Sequence, residues 1–200
     1  MNEKFFDLKT EKQDRMINAS LKVFAKNGYQ YASTDEIVKE AGISKGLLFH
    51  YFGSKLGLYT FLADYCVRYM KIEVSSACSE KETDYFVILK EVETAKLSVL
   101  KKFPYLQQYL STMEKETDSD AAKATSEQRS SLATIYSDIM KKADYSKFRA
   151  DADAKRIAKM MEMMLKSLML DEIKGGIFKP EHYHSEAIKY IDMISKLVNK

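Results

Sequence analysis

Proline and glycine are scarce in this chain, at two and seven of 200 residues. The glycines gather near Gly28, between Gly42 and Gly57, and at Gly175-Gly176, so helices can run almost everywhere else. No strand-like alternation of apolar and polar residues is present. Cysteine is as rare as proline, also at two. Cys66 and Cys78 have no metal-ligand neighbours and suggest no disulfide framework, so buried or free thiols are expected. Long apolar runs are missing as well: MNEKFFDLKTEKQD lacks a signal-peptide core, and no segment approaches the length of a membrane span. The expectation is a soluble cytoplasmic protein with no membrane partner. Charge of one sign is also not in large excess. A formal net charge of +3 is too weak to argue nucleic-acid binding by itself.

What the chain does contain is a segment, Ser33 to Lys55, that reads as two short helices joined by a tight turn. Ser33-Thr34-Asp35-Glu36 opens the first, with Ser33 and Glu36 as a capping box and two acids at the positive end of the helix dipole. Ile37, Val38 and Ala41 recur at helical spacing, and Gly42 stands where the helix must stop. Ile43 plugs the turn, and Ser44 is placed to cap a second helix over Lys45 to Phe52. Leu48 and Phe52 share its inner face, four residues apart. Lys45, Gly46, Phe49, His50 and Tyr51 are then left outward. No acid occurs between Ala41 and Ala63, whereas Lys45 and Lys55 attract phosphate. Such a helix pair can push its second helix into the major groove of DNA.

The ordered set Thr34, Ile37, Ala41, Gly42, Ser44, Lys45, Gly46, Leu48, Tyr51, Phe52, Lys55 and Leu58 resembles the signature of TetR/AcrR-family transcriptional regulators, specifically over Thr10 to about Tyr59. The resemblance implies an all-α homodimer with an N-terminal three-helix DNA-binding domain and a larger helical domain that senses a small molecule. By position it implies phosphate contacts from Thr34, Ser44, Phe49, His50, Tyr51 and Lys55, and contacts to base edges from Lys45 and Gly46. Phe49 stands where a tyrosine is common, which removes a phenol hydrogen bond, and His50-Tyr51 inverts the frequent aromatic-then-histidine order.

Helical spacing predicts further elements. Thr10 and Gln13 form a capping box for a first helix with Ile17, Leu21 and Phe24 inward, ended by Asn27-Gly28. Ser54 to Ala77 forms a linking helix with Leu58, Leu62, Tyr65, Tyr69 and Ile72 on one side. A helix over Tyr85–Lys102 follows, then a short one with Pro104 in its first turn, a loop at Thr117 to Asp120, and helices over Ala122–Lys142, Ala152–Lys174 and Glu181–Asn199. The expected domains are 1–53 for DNA binding and 54–200 for ligand binding and dimerisation, linked by the helix 54–77.

The last two helices carry more apolar width than one core face needs, which suggests a two-fold contact through Ile157, Met161, Met164 and Leu168 with Ala187, Ile188, Ile191, Ile194 and Val198. Phe86, Tyr105, Tyr109, Met113, Tyr136, Met140 and Met164 are candidates for lining an effector cavity, although at helical spacing such residues are more often plain core. His182 and His184 do not share a helix face and lack a third ligand, so no metal or cofactor is expected. Cys78 and His182 lack an oxyanion-hole turn, and Gly53-Ser54-Lys55 lacks the preceding glycines of a phosphate loop, so an enzyme is not expected. The reading is therefore a regulator that binds a palindromic operator on double-stranded DNA and answers an unknown small-molecule effector, with the resemblance implying a repressor. The alternative is a helical protein-interaction module without DNA binding.

Overall fold

The computed structural model describes residues 3–174 and 178–200, and among them the chain is helical with no strands. Ten α-helices follow a 3-10 turn at Glu3–Asp7: α1 (Thr10–Tyr31), α2 (Thr34–Ala41), α3 (Lys45–Phe52), α4 (Lys55–Ala77), α5 (Tyr85–Lys102), α6 (Leu106–Glu114), α7 (Ser119–Ala124), α8 (Ser126–Met140), α9 (Ala154–Lys174) and α10 (Pro180–Val198). Packing gathers them into two compact units, Met1–Tyr69 with Phe103–Thr134, and Met70–Lys102 with Ile135–Lys200. These units do not follow the division at residue 53, because α6 and α7 pack with the N-terminal helices.

In the first unit α6 lies against α1. Phe24, Tyr59 and Tyr109 form its aromatic centre, with ring centroids 5.0 Å apart for Phe24–Tyr59 and 5.5 Å for Tyr59–Tyr109. The Tyr109 hydroxyl donates to the Tyr59 carbonyl at 2.8 Å, which satisfies a phenol that has no access to water. Gly28 adopts φ 68° and ψ −177°, so α1 kinks there and runs on to Tyr31 instead of ending. Past the kink, the Tyr29 amide donates to the Glu116 carboxylate at 3.1 Å.

In the second unit α5 packs on α10. Buried Glu93 accepts from the Tyr183 hydroxyl at 2.7 Å and from the Lys96 ammonium at 2.8 Å, so its charge is compensated inside the packing. Asp84 caps α5, accepting from the Phe86 and Val87 amides at 2.9 and 3.0 Å and from Lys147 at 2.8 Å.

Several expectations change. Thr10 makes no capping bond, and the Gln13 side-chain amide donates instead to the Phe6 and Leu8 carbonyls, tying the 3-10 turn to α1. Pro104 precedes α6 rather than opening it, and the 117–120 loop already contains the start of α7, capped by Asp118. The helix expected over 122–142 is broken at buried Thr125, whose hydroxyl bonds back to the Ala121 carbonyl at 2.8 Å. Ile72 is exposed, unlike its stripe partners Leu58 and Leu62. Met161, Ala187 and Ile191 are wholly buried within the protomer and supply core, not surface. The helix stop assigned to Gly175-Gly176 lies outside the described residues.

Candidate nucleic-acid interface

The α2–turn–α3 segment is built by capping and by one buried face. Ser33 Oγ accepts from the Glu36 amide at 3.4 Å, and Ser44 Oγ accepts from the Leu47 amide at 3.2 Å. Gly42 sits at φ 64°, ψ 43°, a left-handed conformation that favours glycine, and its amide closes on the last carbonyls of α2. Ile37, Ala41, Leu48 and Phe52 are buried behind the pair. Ser44, Lys45, Gly46 and His50 are exposed in front, and Thr34 and Phe49 are half-buried.

Tyr51 corrects the outward reading. Only 8% exposed, its ring packs edge-on to Phe5 with centroids 5.7 Å apart. Tyr51 lies three residues after Leu48 and so turns toward the same side of α3. Phe5, wholly buried, also meets Phe52 at 5.1 Å and Phe61 at 5.2 Å. The 3-10 turn is thus a second prop for α3. Sequence reasoning missed it, although the Phe5-Phe6 pair in an otherwise polar stretch was its signal.

The two lysines are both engaged. Lys55 Nζ donates to the Gln30 and Ala32 carbonyls at 3.1 and 3.3 Å and lies 4.6 Å from the Tyr29 ring centroid. A cation there answers the negative end of α1. Lys45 Nζ lies 2.9 Å from an oxygen of Asp35, which α2 carries to it from outside the acid-free stretch.

The candidate effector residues are divided between the two units. Tyr105, Tyr109 and Met113 belong to the first unit, whereas Phe86, Tyr136, Met140 and Met164 belong to the second. Tyr109 and Met113 are fully buried, and Phe86 stacks on Phe148 at 5.4 Å. The hydroxyls of Tyr85 and Tyr136 are buried and interact with each other. His182 and His184 turn to separate partners, Glu172 at 2.6 Å and Thr94 at 3.3 Å.

A pair of capped helices across a glycine turn, seated on an apolar base, defines a helix-turn-helix protein of the all-α class. Residues 16–60 match the family model for bacterial regulatory proteins of the tetR family. The chain is 39% identical over 57 residues to the HTH-type transcriptional regulator YerO of Bacillus subtilis strain 168, covering 28% of this chain and 20% of that one. It is 43% identical over 49 residues to the HTH-type transcriptional activator FasR of Mycolicibacterium smegmatis, covering 24% and 22%. The match thus spans about a fifth of the length of these relatives. A crystal structure of a TetR family transcriptional regulator from Chloroflexus aurantiacus J-10-FL superposes with a TM-score of 0.67 at 20% identity, covering 100% of this chain and 98% of that one. Over its helix-turn-helix segment the chain is thus similar to regulators of the TetR family. No described helix is long and apolar enough to cross a membrane.

Proposed function

We propose that the protein is a homodimeric transcriptional regulator that binds a palindromic operator and is released from it by a small-molecule effector, acting as a repressor by occupying sites that RNA polymerase needs. The observation that carries this reading is α3: capped by Ser44, propped by Leu48 and Phe52, with Lys45, Gly46 and His50 exposed on its other side. Lys45 and Gly46 meet base edges. Thr34, Ser44, His50 and the tip of Tyr51 hold the register through phosphates, with Phe49 adding apolar contact. Lys55 acts as a positioning residue, fixing the connection between α1 and α2.

A single recognition helix specifies few base pairs, so two copies are needed, with half-sites one helical turn apart. The support for a dimer through α9 and α10 is their exposed apolar set, Met160 and Met163 on one helix and Tyr190, Met193 and Leu197 on the other. Half-buried Ile157, Met164, Leu168, Ile188, Ile194 and Val198 flank it. For the effector, support comes from the two buried phenols of Tyr85 and Tyr136, which are set against each other and which a polar ligand group would engage. Coupling runs through α4, whose residues, like those of α8, are shared by both compact units. An effector shifts operator affinity only by its difference in affinity for the two forms.

Selection of bound sequences from a random duplex pool tests this reading. A recovered palindrome with steep loss of affinity as salt rises is the expected result. Salt-independent or absent duplex binding would leave a helical interaction module as the better account.

A further inference from the structure

In the free protein the reading lysine is not a free cation. Lys45 Nζ lies 2.9 Å from one carboxylate oxygen of Asp35 and 3.1 Å from the other, with the two side chains 50% and 72% exposed. Ordinary roles for this carboxylate fit poorly. As an anion in the first turn of α2 it is duplicated by Glu36. As an ion pair at such exposure it contributes little stability. A lysine meant only for phosphates would be weakened by a carboxylate against its ammonium, because attraction to the duplex comes from uncompensated positive charge.

The pair does have a counterpart in the major groove. Lysine is complementary to the O6 and N7 acceptors of guanine, and aspartate to the N4 amino donor of cytosine, and a G·C pair presents these side by side. Adenine offers one acceptor and one donor, which leaves the lysine with a single acceptor. We propose, resting on the DNA-binding reading above, that Asp35 is a second specificity-determining residue: it accepts from a cytosine N4 amine beside the guanine that Lys45 reads. The carboxylate penalises contact with a phosphate or with a base that lacks a donor there, so it adds discrimination, not affinity.

The test is selection from a random duplex pool with the full-length protein, Asp35→Ala and Asp35→Asn, followed by titration of each on duplexes substituted at single positions. The parent selects a palindrome with a G·C pair fixed at one symmetric position in each half-site. In Asp35→Ala the preference for cytosine there falls roughly tenfold while the rest of the palindrome is kept, and non-cognate duplex is bound at least as tightly. Asp35→Asn moves the preference away from cytosine. Unchanged base preference in both variants overturns the proposal, as does a parental palindrome with no fixed G·C pair. Loss of all binding by both variants with helicity intact overturns it too, since a base contact governs one position only. If the parent itself selects no palindrome, it is the DNA-binding reading that fails instead.

Discussion

Gly46 is a glycine that the protein's own packing does not require. A Cβ built there meets nothing within 4 Å, and its backbone is helical, not left-handed. Glycine in a helix lowers stability relative to alanine, so the reason for it lies outside the chain. Gly46→Ala should therefore raise folding stability by about 0.5 kcal/mol in urea melts while weakening operator binding in gel shifts. Tighter binding with the raised stability would remove Gly46 from the groove. Lys55 invites the opposite test. Its ammonium already serves the Gln30 and Ala32 carbonyls, so Lys55→Gln should lower the melting temperature yet leave the slope of log affinity against log salt unchanged. A slope shallower by roughly one per protomer would restore it as a phosphate ligand. At this scale the caps were legible in the sequence, because Ser33, Ser44 and Gly42 act through local backbone geometry. The Asp35–Lys45 pair and the anchoring of Lys55 were not, since each depends on how separate helices meet.

At the scale of elements, α3 is held from two sides, by the helices behind it and by the 3-10 turn that delivers Phe5. Phe5→Ala empties a site onto which the rings of Tyr51, Phe52 and Phe61 pack and should cost about 3–5 kcal/mol in denaturant unfolding. Because those rings belong to α3 and α4, operator affinity should fall with stability even though Phe5 itself is wholly buried. A variant that is destabilised but binds normally under native conditions would show that α3 needs no such prop. Asp84 ties α5 to Lys147 in the second unit. Burial pushes its carboxyl up, but the Lys147 hydrogen bond and charge and the Val87 and Phe86 amides outweigh it, leaving it below its ordinary value. A group depressed in the fold lends stability above its unfolded value of about 3.9 and loses it as pH falls through the folded value. Asp84→Asn should thus be less stable than the parent at pH 7, with the gap closing below about pH 4. A gap of constant size across urea melts at both pH values would sever that link. Tyr85–Lys102 was readable as a helix from its apolar period alone. The break between α7 and α8 was not, because one hydroxyl turning back on the carbonyl four residues earlier leaves no mark on periodicity.

For the whole molecule, the decisive property is whether two α3 helices are presented together. The sequence located the apolar surplus on α9 and α10 but not its sharing between core and surface. Met161, Ala187 and Ile191 are taken up by the protomer, whereas Met160, Met163, Tyr190, Met193 and Leu197 stay out. Periodicity counts apolar faces without saying which neighbour covers each. The residue for separating assembly from folding is Met163, 62% exposed in the protomer, since a charge there leaves the core untouched and should change protomer stability by only about 0.5 kcal/mol. Placed in a two-fold contact, Met163→Glu would bury two carboxylates without partners. Sedimentation velocity should then show a monomer with parental helicity, and affinity for a full palindrome should drop roughly 100-fold or more, because the second head no longer binds at high effective concentration. Binding to a single half-site should barely change. If Met163→Glu remains a dimer with parental operator affinity, the contact lies on other helices. If it becomes a monomer and still binds the palindrome as tightly, the two heads never acted together, and the dimer has no part in reading DNA.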